Sequence, residues 1–496
     1  MTVAAVLLVL LLVAIYALAV WQIWRSPFRA LGVLVAGMAF HNFLIMVLLA
    51  QRTPAPVVRI VQSWKEGILL LLSLMAAAAF IRAWRAGHLP RPNLFDLLVA
   101  VFAGVAVIYT VLPPSLLHGS ANLQQRVIGL RVLLLLPLLY LFGRVFQPRS
   151  RADLRWVAWA ILGSAAAVGL FGLWELWLVP TPDWFGWGVN QLSAWLGFVY
   201  NGPKGLPANF FQTTADGLLL RRMVSTYVSP LGIAYAGLVV VPLAVALILA
   251  LKQARKRWLA AALLILLLAG ILFSLTRLAL LMTVAEFLML AVLTRRRWVL
   301  YATPVVAGLA MFMIFQYVYV GPLMNRNLVP VAQRPTHLNI SSVADPSLTE
   351  HAGQLGYDLQ YVVQHPLGGG VGSSVHRYGP SSGTGESAVF DMFGDLGVVG
   401  GILYLLIYAV PFFAAVLVYF RLWRDPLASM LPLIYAVAAA GLAPITLTSD
   451  IWGDFATTFL FWWAAGASIT LYLASRQTRV TAAPAGGTSS AESVSA

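Results

Sequence analysis

The stretch that decides the fold is WLAAALLILLLAGILFSLTRLALLMTVAEFLMLAVLT (residues 258–294), which can cross a bilayer twice and carries only two charged residues, Arg277 and Glu286. Basic clusters flank it, from Lys252 to Arg257 before the stretch and from Arg295 to Arg297 after it. A transmembrane helix needs about 20 apolar residues, and positive residues collect in cytoplasmic loops. This region therefore predicts two membrane helices whose short connection, around Arg277, lies on the outer side.

The composition of the whole chain extends this interpretation. Hydrophobic residues make up 60% of the 496 residues and charged residues 10%, against about 45–50% and about 25% in soluble domains. Backbone groups in lipid must be hydrogen-bonded within each segment, and strand-like alternation is absent, so the predicted fold class is an all-α polytopic membrane protein. The absence of cysteine excludes disulfides and thiolate chemistry. Most of the net charge of +15 lies in loops between spans, where it sets topology, so no nucleic-acid partner is expected.

Apolar runs of about 20 residues predict about thirteen transmembrane helices. They lie at 3–24, 30–50, 66–84, 94–113, 128–146, 157–179, 229–251, 258–273, 276–294, 299–319, 396–420, 429–448 and 455–475. Twenty of the 32 Lys and Arg residues fall in alternate short loops, which the positive-inside rule assigns to the cytoplasm. The N-terminus, read as a retained first span, is then outside and the C-terminus is cytoplasmic.

Six segments follow from this topology, and the two long loops among them face outward. They are an N-terminal transmembrane bundle (1–179), an aromatic outer loop (180–228), central transmembrane helices (229–320), a large outer catalytic loop (321–395), C-terminal transmembrane helices (396–475) and a disordered cytoplasmic tail (476–496). The chain shows no internal repeat, so an inverted-repeat transporter gains no support.

The large outer loop concentrates the polar chemistry, because it holds six of the 17 acidic residues and four of the 7 histidines. Asp345, Pro346 and the capping box Ser347-Leu348-Thr349-Glu350 predict an amphipathic helix that lies on the outer membrane surface and ends at His365-Pro366. The run Gly368-Gly369-Gly370-Val371-Gly372 follows. It lacks the Lys-Ser/Thr pair of a nucleotide P-loop, and it is either a flexible turn or a place where backbone N–H groups approach an oxyanion.

The first outer loop is rich in aromatic residues: Trp184, Phe185, Trp187, Trp195, Phe198 and Tyr200. Aromatic rings suit the membrane interface, and they also stack on sugar rings. The sequence leaves both interpretations open.

Ionisable residues near the outer ends of spans are the candidate functional groups. An arginine at position 277 is costly unless it faces a polar cavity or an anion, and its fork suits phosphate oxygens, although a snorkelling arginine is the alternative. Arg221 and Arg222 also precede a span on the outer side. Glu286 should face the bundle interior, and His41 and Glu175 are interpreted as packing or interfacial groups. The carboxylates after the glycine run are either a general base or helix caps; they are Glu386, Asp391, Asp395, Asp450 and Asp454.

Several short motifs, taken in order over residues 220–420, resemble the bacterial O-antigen ligase/polymerase superfamily. They are Arg222-Met223-Val224-Ser225-Thr226-Tyr227, Ser274-Leu275-Thr276-Arg277, His365-Pro366-Leu367-Gly368-Gly369-Gly370-Val371-Gly372, and Glu386-Ser387 with Gly394-Asp395-Leu396-Gly397-Val398-Val399-Gly400. The resemblance implies a GT-C-like bundle that takes a glycan from undecaprenyl pyrophosphate on the outer face of the inner membrane. The acceptor is another lipid-linked glycan in a polymerase, or lipid A-core in a ligase.

The same resemblance implies the site residues and requires no metal or cofactor. Outer-face arginines bind the pyrophosphate in this family, and the family arginine corresponds to Arg277. We expect Arg222, Arg221 and the backbone of Gly370 and Gly372 to bind the pyrophosphate with it, Glu386 to be the catalytic base, and His351 to be a second catalytic candidate. Two departures favour a polysaccharide polymerase over a ligase. Glu350-His351 stands where ligases have an arginine early in the loop helix, and Glu386-Ser387 stands where they have His-Asn.

The predicted reaction is therefore inverting glycosyl transfer in surface or exopolysaccharide synthesis. The acceptor hydroxyl attacks the anomeric carbon, Glu386 removes its proton, and pyrophosphate leaves against Arg277 and Arg222. Expected partners are the lipid-linked donor and acceptor, membrane lipid, and chain-length regulator and flippase proteins. The alternatives are an O-antigen ligase and a transporter or flippase of lipid-linked glycan, which would also need basic residues in a cavity.

Overall fold

The computed structural model describes residues 2–87, 92–117, 119–197, 205–213, 219–317, 346–379, 381 and 383–482. Within these ranges the protein is a polytopic bundle of α-helices with a short two-stranded hairpin, which confirms the predicted all-α membrane class.

The N-terminal part combines long apolar helices with short connecting ones. In chain order they are α1 (Val3–Arg25), α2 (Ala30–Ala50), α3 (Ala55–Gln62), α4 (Trp64–Arg85), α5 (Leu94–Val111), α6 (Pro114–Leu117), α7 (Leu123–Val145), α8 (Arg151–Leu178), α9 (Thr181–Gly186) and α10 (Val189–Trp195). The hairpin follows, with β1 (Phe211–Thr213) antiparallel to β2 (Leu219–Arg221). Short 3-10 turns cover Pro27–Arg29, Ala208–Phe210 and Ser225–Tyr227.

The second half of the chain supplies the helices that surround the site. They are α11 (Pro230–Ala250), α12 (Ala254–Phe273), α13 (Arg277–Thr294), α14 (Arg297–Phe315), α15 (Pro346–Gln364), α16 (Ala388–Leu422), α17 (Met430–Thr446) and α18 (Phe455–Ala482). The most apolar window of α11 is 89% buried, against 6% for α1. Helix α11 is therefore central in the bundle, whereas α1 presents its apolar surface outward.

Twelve of the described helices are long and apolar enough to cross a membrane, where the sequence predicts about thirteen. The difference is α17, which has 17 residues. At about 1.5 Å per residue it is about 26 Å long, shorter than the ~30 Å hydrocarbon core. Glu286, on α13, is 1% exposed, which confirms that it faces the bundle interior.

Several of these helices begin at one end of the bundle, which we call the site end. Helices α4, α7, α11, α13, α16 and α18 start there. Contacts join the N-terminal parts of several of these helices: Tyr235 of α11 donates a hydrogen bond to Ser449, whose carbonyl accepts one from Ala388 of α16. Arg131 of α7 lies 4.8 Å from the ring of Phe455 at the start of α18. The ends of α8, α12 and α17 lie at the same end of the bundle, so N- and C-termini alternate there and side chains decide its charge.

The described parts of the aromatic segment 180–228, residues 180–197, 205–213 and 219–228, are folded onto the bundle. Trp184 and Phe210 are fully buried and meet edge to face at 5.2 Å. Trp187 stacks on Trp174 of α8, with ring centres 5.9 Å apart. These rings stabilise the fold by packing. Phe198 and Tyr200 lie outside the described residues.

The predicted amphipathic helix is present as α15, which ends at Gln364 directly before His365-Pro366. Leu359 and Val363 are 58% and 72% exposed, whereas Asp358 is buried against the protein. The exposed apolar face has the arrangement that a helix lying on a membrane surface requires. Asp345 and the side chains of the predicted capping box lie outside the described part of the chain.

Two boundaries differ from the predicted ones. Helix α16 begins at Ala388, so residues 388–395 are helical and are not part of the loop, and the helix is broken at Gly397 (φ 67°, ψ −173°). Helix α18 continues to Ala482, so residues 476–482 are not a disordered tail; residues 483–496 lie outside the description. The prediction was wrong at both places because each helix continues past charged residues: α16 includes Asp391 and Asp395 after its Ser387 N-cap, and α18 includes Arg476 and Arg479.

Candidate functional site

The β-hairpin brings two arginine-bearing motifs together. Strand β2 ends at Arg221, and the next backbone N–H, that of Arg222, donates to the carbonyl of Phe210 at 2.9 Å. The N–H of Met223 donates to the carbonyl of Phe273, also at 2.9 Å. Phe273 is the last residue of α12, so this backbone is attached directly to the Ser-Leu-Thr-Arg turn at residues 274–277.

Arg222 binds across that turn. Its Nε donates to the Ser274 carbonyl at 2.8 Å, and its Nη2 donates to Thr276 Oγ1 at 2.9 Å. Burial lowers the pKa of Arg222 to about 10; the Tyr235 hydroxyl opposes this fall, and the positive charge of Arg277 adds to it. The guanidinium is still protonated at neutral pH, and these hydrogen bonds go to neutral oxygens. An anion beside Arg222 would therefore be stabilised.

Arg277 is the first residue of α13 and is partly exposed. The sharp turn before it depends on Leu275, whose φ is 53°. With the Gln212 side-chain amide oriented so that its oxygen faces Arg277, that oxygen accepts from Nη2 at 2.7 Å and from Nε at 2.8 Å. Gln212 lies on β1, so the hairpin orients the Arg277 guanidinium next to Arg222.

Arg221 has a different environment. Its Nη2 donates to Glu175 Oε2 at 3.1 Å, and the two side chains are 3% and 0% exposed. Its Nη1 donates to the carbonyls of Phe210 and Arg222 at 3.3 and 2.8 Å. Glu175 Oε1 also accepts from the N–H of Val224 at 2.8 Å. Arg221 and Glu175 thus form a buried ion pair that fixes the hairpin to α8, and we leave Arg221 out of the proposed pyrophosphate site.

Tyr235 of α11 connects the arginines to the carboxylates. Its hydroxyl donates to Ser449 Oγ at 2.9 Å, and the Ser449 carbonyl accepts from the N–H of Ala388 at 3.1 Å. Glu386, two residues before Ala388, is exposed. The charges of Glu386 and Arg222 both act on the Tyr235 hydroxyl, so these three groups share one electrostatic environment.

The cap of α16 is Ser387 and not Glu386. Ser387 Oγ accepts from the N–H of Phe390 at 3.1 Å, which is an N-cap hydrogen bond. Of the two roles that the sequence left open for Glu386, capping is therefore filled by its neighbour.

Asp454 is the other carboxylate near Tyr235. Burial raises its pKa to about 7, against the opposing effect of hydrogen bonds from the Thr457 hydroxyl and from the amides of Ala456 and Thr457. Its charge acts on both Tyr227 and Tyr235. A carboxyl group with a pKa near 7 can exchange a proton at neutral pH, and the same hydrogen bonds make Asp454 the N-cap of α18.

The glycine run is held in place by Asp395. One carboxylate oxygen of Asp395 accepts from the N–H of Gly372 at 2.8 Å, and the other accepts from Ser373 Oγ at 2.8 Å and from the N–H of Ser374 at 2.9 Å. The Gly372 N–H therefore has a partner within the protein, and we do not carry it into the proposed pyrophosphate site. A role for Gly370 stays a prediction.

The glycines permit close approach of the backbone to neighbouring helices. A Cβ on Gly372 (φ 91°) would lie 2.6 Å from the backbone of Gln125 at the start of α7. A Cβ on Gly368 (φ 74°) would lie 2.5 Å from the nitrogen of Gly397 at the break in α16. Both contacts are too short for any other residue, so the run is a packed turn between α7 and α16.

Four further ionisable residues belong to the segments on either side of Glu386. His351 is exposed on α15, and none of its described contacts joins it to the arginines, so its catalytic role stays a prediction. His376 Nε2 faces the Gly385 carbonyl at 3.0 Å. Asp391 accepts from Thr384 Oγ1 at 2.9 Å. Asp450 is exposed.

Sequence reasoning missed Tyr235, Gln212 and Asp358. Asp358 accepts from the N–H of Gly385 at 2.8 Å and is fully buried, so it positions the residue before Glu386. The sequence does indicate Asp358, because it lies three residues before Tyr361 and therefore on the same face of α15, away from the exposed apolar residues Leu359 and Val363. The sequence holds no comparable signal for Gln212, because three-residue strands leave no periodic pattern.

Comparisons with known proteins add no assignment to this geometry. No protein-family model matches the chain, and no curated protein matches it. The roles proposed below therefore depend on the residues and contacts described above and on the motif resemblance.

Proposed function

We propose that the protein is a membrane glycosyltransferase that polymerises undecaprenyl-pyrophosphate-linked glycan at the outer face of the bacterial inner membrane. The observation that carries the proposal is that Arg222, Glu386 and Asp454 all act electrostatically on the Tyr235 hydroxyl at the site end, with Arg277 beside Arg222. Two cations beside two carboxylates supply the opposite charges that departure of a pyrophosphate and deprotonation of a hydroxyl require.

The arginines would bind the pyrophosphate of the donor. Arg222 is held by the turn and Arg277 by Gln212, so both guanidiniums are oriented before substrate arrives. Preorganised donors stabilise charge that develops on a leaving group, and guanidinium groups match phosphate oxygens in pairs. The helix N-terminus at Arg277 adds partial positive charge in the same place.

The transfer step needs one base. The acceptor hydroxyl forms a bond to the anomeric carbon of the donor sugar while the bond from that carbon to the pyrophosphate oxygen breaks. The proton goes to Glu386, and undecaprenyl pyrophosphate leaves with the bonding electrons and is stabilised by Arg222 and Arg277. Glu386 is exposed next to Tyr235, where an acceptor can reach it, and Asp454 is the alternative base.

A polymerase is favoured over a ligase because a carboxylate, Glu386, stands where ligases have histidine. The proposal includes a GT-C-like architecture in which α15 lies on the outer membrane surface above the bundle, with the N-terminus outside and the C-terminus cytoplasmic. Chain-length regulator and flippase proteins are the proposed partners. The reaction as written uses neither a metal ion nor a cofactor.

The test is turnover of a purified lipid-linked repeat unit by the purified protein in detergent or nanodiscs, with polymer length read on a gel. Arg277→Met should slow elongation by about 30- to 1,000-fold, the loss expected for one charge-stabilising donor. Arg424→Met, an exposed arginine in the loop after α16, is the matched control and should elongate as the wild type does. A flippase would move the lipid-linked unit across a vesicle membrane without forming a glycosidic bond, and that result would refute the proposal.

A further inference from the structure

A groove of about 280 Å³ opens between α4, α7 and α18 at the site end, away from the arginine pair. Three charged residues line it, namely Lys65, Glu66 and Arg131, together with four leucines and two phenylalanines. This volume is close to the lower end of the range for ligand pockets, about 300–1,000 Å³. The groove is therefore large enough for a narrow ligand, and its lining has two chemically distinct parts.

The lining changes from charged to apolar along the helices. Lys65 and Glu66 lie at the start of α4. Arg131 is eight residues into α7, about 12 Å from its first residue, and Leu138 on the same helix is about 22 Å from that residue. The groove thus has a charged end near the membrane surface and an apolar floor that runs toward the bilayer centre. This is the polarity of a lipid whose head group is anionic.

The charged end has more positive than negative charge. Glu66 is shared by two cations, because its Oε1 pairs with Arg131 Nη2 and lies 3.4 Å from Lys65 Nζ. Both cations also lie over the Phe455 ring, at 4.8 Å for Arg131 and 5.5 Å for Lys65. Charges at this depth are costly unless they are paired, so one further negative group would be stabilised here.

His41 does not satisfy the Lys65 ammonium. Trp64 Nε1, which can only donate, hydrogen-bonds to His41 Nδ1 at 3.0 Å. The neutral ring then carries its proton on Nε2, which is the nitrogen that faces Lys65 Nζ at 3.4 Å. Two donors face each other there. Lys65 donates to the Gln62 carbonyl at 3.1 Å, and its remaining charge is directed to the shared carboxylate and the groove.

We propose that this groove binds the phosphate end and first isoprene units of a second polyisoprenoid lipid, the acceptor of the polymerisation reaction, and this part of the inference rests on the proposed function. The phosphate would contact Arg131 and Lys65. The leucines would contact a single isoprenoid chain, for which a groove of this volume is better suited than for the two chains of a phospholipid.

The position of the groove fits an acceptor site. Phe455, which forms part of its wall, follows Asp454 directly, and Asp454 acts electrostatically on Tyr235 beside Arg222. An acceptor anchored by its phosphate at Arg131 would extend its glycan past Asp454 toward the arginine pair. A donor and an acceptor could then be bound together by separate groups of cations.

Native mass spectrometry of the full chain with undecaprenyl phosphate tests the proposal, with undecaprenol and phosphatidylglycerol as control lipids. The wild type should bind up to two undecaprenyl phosphate molecules, and Arg131→Met and Arg277→Met should each bind one. Glu66→Gln should bind more tightly by several-fold, because it removes the carboxylate that competes for Arg131. If Arg131→Met fails to fold, the double variant Arg131→Met/Glu66→Leu replaces it. It removes both charges of the pair, so no unpaired carboxylate is left, and it should likewise bind one lipid.

The outcomes separate the groove from the proposed function. Any of three results would overturn the inference, because the charges would then be a structural ion-pair network. They are two lipids bound to Arg131→Met, weaker binding in Glu66→Gln than in the wild type, or binding of undecaprenol or phosphatidylglycerol equal to that of undecaprenyl phosphate. If the wild type polymerises normally while any of these three results is obtained, the groove inference fails and the proposed function stands. Loss of one lipid in Arg131→Met without any polymerisation by the wild type would support the lipid site and refute both the proposed function and the acceptor role.

Discussion

Replacing Arg221 by methionine should destabilise the folded protein and leave the chemistry of the folded fraction unchanged. Arg221 is one half of a buried ion pair in which the side chains are 3% and 0% exposed. Its removal leaves the Glu175 carboxylate in the interior without a cationic partner, where it still accepts from the N–H groups of Val224 and Ser225 at 2.8 and 3.2 Å.

The expected loss is about 3–5 kcal/mol in the free energy of unfolding, the range for breaking one partner of a buried pair. Combining the change with Glu175→Gln should recover part of this loss. The glutamine oxygen can still accept from Val224 and Ser225, while the isolated charge is gone. The remaining deficit should be about 1–3 kcal/mol, because the carbonyls of Phe210 and Arg222 lose their donor.

The assay is the thermal unfolding midpoint in detergent at a fixed scan rate, together with polymerisation per folded molecule. Arg221→Met should lower the midpoint, and the double variant should raise it again without a change in specific activity. If Arg221→Met unfolds as the wild type does but loses turnover, Arg221 contacts the substrate, and the separation drawn here between Arg221 and Arg222 is wrong.

Four further predictions follow from the site and the topology. Arg277→Ala should lower kcat/KM by about 30- to 1,000-fold, which corresponds to about 2–4 kcal/mol for a lost charge-stabilising donor. Arg277→Lys should recover only part of the activity, because lysine lacks the two-pronged guanidinium. Full activity of the alanine variant would remove Arg277 from the site. Glu386→Gln should abolish polymer formation and keep donor binding within about twofold, as measured by lipid titration; polymer made at the wild-type rate would assign the base elsewhere. The pKa of Asp454 is raised to about 7, so the folded chain binds this proton more tightly than the unfolded chain, and Asp454 should make the free energy of unfolding fall as pH rises from about 4 to 7. Asp454→Asn should remove this residue's contribution and make the slope shallower, and an unchanged slope would contradict the assignment. Reporter fusions after Arg257 and Pro380 should report opposite sides of the membrane, and the same side for both would refute the predicted topology.

The helical architecture was predictable because it depends on composition and run length, which are local properties. The turn before Arg277 shows this well, since a gap of a few residues between two apolar runs indicates a short turn between two membrane helices. The end of α15 at His365-Pro366 was predictable for the same reason, because proline prevents the helix from continuing. Neither feature depends on what lies across the bundle.

The site was less predictable because its groups are brought together by tertiary contacts. Arg221 and Arg222 are adjacent and chemically identical in the sequence, yet Glu175 on α8 pairs with one and the turn at Ser274 binds the other. The glycine run allowed two interpretations, a flexible turn or an oxyanion site. The structure shows close packing against Gln125, which no pattern within the run itself could indicate.

The ion pair between Glu175 and Arg221 also has a consequence for synthesis of the chain in the cell. Its two partners are separated by 46 residues, so at about 5–20 residues per second the carboxylate leaves the ribosome about 2–9 s before its arginine. Glu175 lies three residues from the end of α8, where it can stay hydrated near the membrane surface during this interval. Helix α8 can therefore insert first, and the aromatic segment closes over it only after β2 has been synthesised.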